Sequence, residues 1–99
     1  MNIYDKATWQ IEGGIPEEKV VAHFALVFEW LHQKSMLSSD GIDMLENGID
    51  ESISLNEEMV TDEGNMFLSE FYDEFISETN YCLEIEKDAL DRYFEEFKR

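Results

Sequence analysis

One stretch of this chain constrains its fold more than any other: residues 39–86 contain fifteen Asp and Glu residues and no Lys, Arg or His. Residues 1–38 carry five acids and three bases, and residues 87–99 carry four of each, so this stretch holds nearly all of the net charge of −17. Such a segment repels itself in the folded state, and solubility alone does not require so one-sided a charge. We call residues 39–86 the acidic segment.

Size and composition predict a single globular domain spanning residues 1–99. The chain has 99 residues, of which 43% are hydrophobic and 13% aromatic, enough for one modest core. The longest uncharged run, residues 20–28, is too short to span a bilayer, so we expect no membrane segment. At the start of the chain no basic region precedes an apolar run, so we expect no signal peptide. Cys82 is the single cysteine, so we expect no internal disulfide and a cytoplasmic location.

The first fourteen residues are predicted to be an extended arm, followed by a helical bundle over residues 15–99. Aromatic and β-branched residues alternate loosely between Ile3 and Ile11, as in an extended arm or short strand, and Gly13-Gly14 ends the pattern. Pro16 followed by two glutamates is typical of a first helical turn. Apolar residues then recur at helical spacing and predict a helix from Pro16 to Lys34: Val20, Phe24, Val27, Phe28 and Leu31.

A second helix is predicted after the capping sequence Ser38-Ser39-Asp40, with a thin apolar stripe that reaches Ile53. Gly41 and Gly48 weaken this helix, so the pattern also allows a break within it. Residues 56–59 are predicted to form a connection.

Two further helices complete the predicted bundle. Thr61 is a candidate cap for a helix over residues 62–79, in which Phe67, Phe71 and Phe75 interleave with other apolar residues. After a turn or extended piece at residues 80–85, a last helix is predicted over residues 86–98. The expected fold is mainly α, a compact bundle of four to five helices with a short extended N-terminal arm.

The acids of the predicted second and third helices fall between the apolar positions. Two acidic helix faces in one small domain would make a broad negative surface, and the sequence leaves open whether they adjoin. The candidate partner-binding residues are Asp43, Glu46, Asp50, Glu51, Glu58, Asp62, Glu63, Glu70, Asp73 and Glu74.

Most forms of chemistry find little support in the sequence. Direct nucleic-acid binding depends on Lys and Arg neutralising phosphates, and the net charge here has the opposite sign. Carboxylates are so abundant that a pair of them does not indicate acid–base catalysis, and there is no Gly-rich phosphate loop. Cys82 has no basic neighbour and is interpreted as a packing residue. We therefore expect no enzyme activity, no cofactor and no small-molecule substrate.

A metal site is also not predicted. Glu29 and His32 have the Glu-x-x-His spacing of di-iron bundles, which need two such motifs, and the chain has one. Residues 40–45 place Ile and Met where a calcium loop needs oxygen ligands. His23, at the edge of an apolar stripe, is interpreted as a buried, hydrogen-bonded structural histidine. A metal-binding helical protein is thus the weakest alternative.

The aromatic residues divide into a predicted core and three candidate interface anchors. Tyr4, Trp9 and Trp30 are the candidate anchors, because Trp and Tyr carry binding energy when a partner buries them. The predicted core group is Phe67, Phe71, Tyr72, Phe75, Tyr93, Phe94 and Phe97.

An ordered set of short motifs resembles an uncharacterised family of short acidic bacterial proteins that open with Tyr-Asp-x-Ala-x-Trp. The matching pieces run from about residue 4 to about residue 81, and that family supplies no catalytic residue. They are Tyr4-Asp5-x-Ala7-x-Trp9, a Gly-x-x-Pro ending at Pro16, Ala22-His23, Phe28-x-Trp30, Gly64-Asn65-x-Phe67 and Phe71-Tyr72.

In type, the chain is similar to the immunity proteins of bacterial toxin systems, including contact-dependent growth inhibition. That similarity implies a cytoplasmic inhibitor that docks an acidic surface over the basic active-site cleft of a toxin domain, often a nuclease. The alternative from a different class is a nucleic-acid mimic that inhibits DNA-binding proteins generally.

Overall fold

The computed structural model describes residues 3–78 and 87–99, and it confirms the mainly helical fold. Thr79 at the end of the predicted third helix, the predicted turn at residues 80–85 with Cys82, and Glu86 at the start of the predicted last helix lie outside the described residues. The elements are β1 (Ile3–Lys6), α1 (Ala7–Glu12), α2 (Glu17–Gln33), α3 (Ser39–Asn47), β2 (Ser54–Asn56), a 3-10 helix (Glu57–Met59), α4 (Asp62–Glu78) and α5 (Lys87–Lys98).

Helix α2 supplies the centre of the core. All five apolar residues of its predicted stripe are buried, and the helix begins and ends within one residue of the predicted bounds. Trp30 joins them: it is 1% exposed, its ring centroid lies 5.2 Å from that of Phe67, and its indole Nε1–H donates to Asp91 of α5 at 2.8 Å. The helices α2, α4 and α5 are therefore joined through one side chain.

Helix α4 also matches its prediction, and aromatic rings hold α5 against it. Phe67 lies 5.5 Å, centroid to centroid, from Phe97, and Phe71 stacks on Tyr93 at 5.4 Å. Every predicted core aromatic of α4 is buried, whereas the three of α5 are half-buried because α5 lies at the edge of the bundle.

The prediction of an extended arm up to residue 14 is wrong from Ala7 onwards. Strand β1 pairs antiparallel with β2, with Lys6 opposite Ser54. Since β2 has three residues, the pairing ends at Lys6, and the N–H of the fully buried Ala7 donates to the Ile53 carbonyl at 3.0 Å. The chain then turns into α1, which ends at the predicted glycine pair, where Gly14 has a φ of 100°.

The second predicted helix breaks at Gly48, one of the two glycines expected to weaken it, and its predicted continuation to Ile53 is wrong. Helix α3 begins after the predicted cap but ends at Asn47, because Gly48 adopts a φ of 99° that does not continue a helix. Beyond it, Asp50 accepts hydrogen bonds from the backbone N–H and hydroxyl of Ser52 and stabilises a turn. The buried Ile53 and strand β2 follow, where the sequence predicted a helix and a connection.

Helices α3 and α4 both start at one crossing of the chain. An antiparallel bridge pairs Leu37 with Val60, and each helix begins two residues after its bridge residue. Ser38 donates its N–H to the Met59 carbonyl at 2.9 Å, and Thr61 donates its N–H to the Met36 carbonyl at 2.8 Å. We call this arrangement the crossing.

The caps and glycines at the crossing repeat the same pattern on both sides. The hydroxyls of Ser38 and Thr61 each accept from the N–H of a glycine three residues later, Gly41 and Gly64. A Cβ on Gly41 would lie 2.1 Å from the Met59 carbonyl oxygen, and one on Gly64 would lie 2.8 Å from that of Met36. Both glycines are therefore required by close backbone approach.

Candidate protein-binding surface

All ten predicted partner-binding carboxylates lie on residues exposed to solvent. They are distributed over α3 (Asp43 and Glu46), the following turn (Asp50 and Glu51), the 3-10 helix (Glu58) and α4 (Asp62, Glu63, Glu70, Asp73 and Glu74). The acidic segment thus presents carboxylates on α3, on the turn that follows it, on the 3-10 helix and on α4.

Five of these acids form one face of α4. At 3.6 residues per turn, Asp62, Glu63, Glu70, Asp73 and Glu74 fall within about 120° of the helix circumference. The opposite side of α4 is the aromatic core face, so the burial of that stripe turns the acids outward. We call this exposed side the α4 acidic face.

Met66 lies within the α4 acidic face and is 65% exposed. Asp62 and Glu63 precede it by one helical turn, and Glu70 follows it by one turn, so carboxylates flank the apolar side chain on both sides. Sequence reasoning did not single out Met66. Its position between the acids rather than on the phenylalanine stripe is the signal that could have identified it.

Two of the ten carboxylates already have partners in the fold. Glu63 accepts from the Lys98 ammonium of α5 at 2.6 Å, and both side chains are about half exposed. Hydrogen bonds from the hydroxyl and N–H of Ser52 hold the pKa of Asp50 below its ordinary value. The other eight make no ion pair or side-chain hydrogen bond with any residue that the structure describes.

The crossing brings the 3-10 helix close to the start of α3. The Ser38 hydroxyl donates to the Glu58 carbonyl at 2.5 Å, and the Asn56 side chain caps the 3-10 helix by accepting from the Glu58 N–H at 2.9 Å. Glu58 is therefore fixed next to the first turn of α3, while Asp62 begins α4 two residues after the bridge.

A small groove separates β1 from the α4 acidic face. Tyr4 closes one side of it, because its hydroxyl donates to Oδ1 of Asn65 at 2.5 Å. The groove has a volume of about 220 Å³ and includes Asp73 in its lining. The predicted acid Asp73 thus lies where the N-terminal arm and α4 meet.

The three candidate aromatic anchors have different outcomes. Trp30 is buried between α2, α4 and α5, so its prediction as an interface anchor is wrong: a ring of that size completes the core of a small domain. Tyr4 is half-buried and bonded to Asn65. Trp9 is 49% exposed, with the Lys6 ammonium 5.8 Å from its ring centroid, and remains available to a partner.

A buried polar network lies beneath the arm. Tyr72 donates its hydroxyl proton to Oδ2 of Asp5 at 2.6 Å, and Nε2 of His23 lies 3.3 Å from the Tyr72 oxygen. Burial raises the pKa of Asp5 despite its hydrogen bonds and lowers the pKa of His23 to about 4. His23 is thus the buried, hydrogen-bonded histidine that the sequence predicted, whereas Asp5 and Tyr72, 67 residues apart, carry no sequence signal of their pairing.

Glu29 and His32 are both exposed on α2. Among the residues that the structure describes, no group of three His, Cys, Asp or Glu side chains is placed to hold a metal ion. Within the same residues, none of the helices combines the length and apolarity needed to cross a membrane.

Comparison of the chain with protein-family models, curated proteins and solved structures finds no match. The resemblances described above therefore stay predictions.

Proposed function

We propose that this domain is an immunity-type binding protein that neutralises a basic toxin domain, with a nuclease as the favoured class. The observation that carries the proposal is the exposure of all ten candidate carboxylates on a segment without a single cation. A nuclease holds its substrate through positively charged groups that contact phosphates. An exposed acidic surface is complementary in charge to such a cleft.

The α4 acidic face is the favoured centre of the contact. It combines five carboxylates with the exposed Met66, and interface centres commonly pair an apolar anchor with surrounding polar groups. Met suits this position because its flexible thioether adapts to an irregular cavity. The charges would speed encounter and reject acidic competitors, and Met66 would be buried on docking.

The first test measures the affinity for a basic toxin nuclease domain over a range of salt concentrations. Screening at higher ionic strength weakens long-range charge attraction, so the association rate should fall as salt is added. Affinity that does not change with salt would contradict an electrostatic docking surface. Tight binding to one nuclease and none to unrelated DNA-binding proteins distinguishes an inhibitor of one toxin from a general nucleic-acid mimic.

A matched pair of variants localises the surface. Glu70→Gln with Asp73→Asn removes two charges from the α4 acidic face, and Glu12→Gln with Glu29→Gln removes two exposed charges from α1 and α2. If the first pair meets desolvated cations, its loss should cost about 2 kcal/mol or more, while distant charges should change mainly the association rate. Equal effects of the two pairs would place the contact elsewhere.

A further inference from the structure

The buried network beneath the N-terminal arm consists of three titratable side chains from three different elements. Asp5 of β1, His23 of α2 and Tyr72 of α4 are 2%, 1% and 3% exposed. The arm, defined as residues 3–12, is therefore held to α2 and α4 by a chain of buried hydrogen bonds. The proposed binding function does not use these groups.

The donors and acceptors of the network fix where its protons lie. The Tyr72 hydroxyl donates its one proton to Asp5, so in the contact with Nε2 of His23 the Tyr72 oxygen is the acceptor and His23 is the donor. At neutral pH the imidazole is thus the Nε2–H tautomer. The other Asp5 oxygen accepts from Nε2 of Gln10 at 3.0 Å and from the Lys6 N–H at 2.8 Å.

The carboxylate of Asp5 accepts hydrogen bonds from three neutral donors. Among residues 3–78 and 88–99, the ion pairs all involve other acids, and no Lys or Arg nitrogen lies within 4.0 Å of Asp5. Phe24 and Phe75 enclose the His23 ring, with centroids at 5.5 Å. Along the elements that pack around the network, the charged residues nearest in sequence are Lys6 of β1, Glu12 of α1, Lys19 of α2 and Asp73 of α4. Lys6 is half-buried, and the other three are exposed.

We propose that Asp5, Tyr72 and His23 take up one proton as a unit, and that this proton holds the N-terminal arm more tightly in mildly acidic than in neutral solution. A proton from water binds Nδ1 of His23, the Nε2 proton passes to the Tyr72 oxygen, and the Tyr72 proton passes to Oδ2 of Asp5. The products are an Nδ1–H imidazole, an unchanged tyrosine hydroxyl and a neutral carboxylic acid. No charge remains in the buried network, and burial favours that state.

The effect on the arm follows from where Asp5 can meet water. When the arm is docked, its ionised carboxylate is buried, and when the arm opens, the carboxylate is solvated. Ionisation at neutral pH therefore favours opening, whereas the neutral acid removes that penalty from the docked state. Docking also fixes Tyr4 against Asn65 of α4, so the proton controls the exposure of Tyr4.

The decisive measurement is an NMR titration of the unmodified full chain, following the Asp5 carboxyl carbon and both His23 ring nitrogens. Asp5 should titrate above its ordinary pKa of 3.8, and the His23 proton should move from Nε2 to Nδ1 at the same midpoint. A His23 ring that keeps the Nε2–H tautomer throughout the Asp5 titration would overturn the relay. Titration of Asp5 at or below 3.8 would do the same.

Two variants test the coupling and the effect on the arm. Tyr72→Phe removes the bridging hydroxyl, so Asp5 should titrate without changing the His23 tautomer; if this variant does not fold, the titration of the unmodified chain still decides. Exchange protection of the Ala7 amide, corrected for intrinsic rates, should be higher near pH 4 than near pH 7, because each unit by which docking raises the pKa of Asp5 changes the opening equilibrium by up to tenfold. Asp5→Asn should abolish the increase in protection at the lower pH. Equal protection of the unmodified chain at both pH values would refute the control of the arm.

Discussion

Replacing Asp5 by Asn should make the free energy of unfolding fall as the solution becomes acidic. The amide cannot accept the proton that the network otherwise passes to the carboxylate, so His23 alone must titrate. His23 is buried, and burial disfavours its charged form and lowers its pKa from 6.5 to about 4. Between these two values the unfolded chain binds a proton at His23 and the folded chain does not.

The sign and size of the effect follow from this difference. The contribution of neutral His23 is fully present above the unfolded pKa and is lost as the pH falls towards the folded pKa. With 1.36 kcal/mol per pKa unit, the lowering of 6.5 to about 4 corresponds to a loss of about 3 kcal/mol. In the unmodified chain Asp5 acts in the opposite direction: its raised pKa makes the folded chain bind a proton first, so its contribution increases as the pH falls.

Urea unfolding of Asp5→Asn and of the double variant Asp5→Asn with His23→Gln, from about pH 7 to about pH 4, isolates this contribution. Gln keeps an N–H donor for Tyr72 and does not titrate, and the exposed carboxylates titrate equally in both proteins. The stability difference between the two variants should change by about 3 kcal/mol over this range. A difference that stays constant within about 0.5 kcal/mol would refute the assignment of a depressed pKa to His23.

Three further predictions concern the scaffold, and chemical denaturation checks each of them. Gly41→Ala should destabilise the domain by about 2–4 kcal/mol, because the added methyl group overpacks the crossing and weakens a backbone hydrogen bond. Gly13→Ala is the control and should be nearly neutral, because its Cβ would lie 3.4 Å from its nearest neighbours. Equal effects of the two substitutions would contradict the close approach at Gly41. Trp30→Phe should cost about 1–3 kcal/mol because it removes buried ring volume from the core and the hydrogen bond to Asp91, and an unchanged stability would contradict both contributions. Lys98→Gln should change stability by less than about 0.5 kcal/mol, since its ion pair with Glu63 is half exposed, and a larger loss would mean that the pair holds α5 in place.

Local sequence signals predicted the long helices well. Pro16 and Thr61 mark helix starts within one residue, and the apolar stripes that follow them are buried in the core. These signals depend on neighbours within one or two turns, so they can be read from the sequence. The exposure of the ten acids follows from the same periodicity, because a helix that buries its apolar stripe must present the other side to water.

The parts that were missed depend on contacts between distant segments. Strand β1 ends and helix α1 begins where the short partner strand β2 ends. Since β2 lies about fifty residues away in sequence, the pattern of residues 3–11 alone could not predict where β1 ends. Strand β2 is short and follows a turn stabilised by Asp50, and a thin apolar stripe in this region fits a helix equally well. The burial of Trp30 could not be predicted for the same reason. Its position in the helical repeat places it near the edge of the apolar stripe of α2, and only packing against α4 and α5 buries it.

The crossing fixes the relation between α3 and α4 by main-chain hydrogen bonds and two glycines, without help from any exposed carboxylate. The contacts that position α3 and α4 are therefore independent of the exposed acidic residues. Substitutions on the outer sides of these helices can change the arrangement of charges without changing where the two helices start. We expect such a domain to tolerate exchange of its acidic residues, so that one scaffold could be matched to basic proteins with different arrangements of cations.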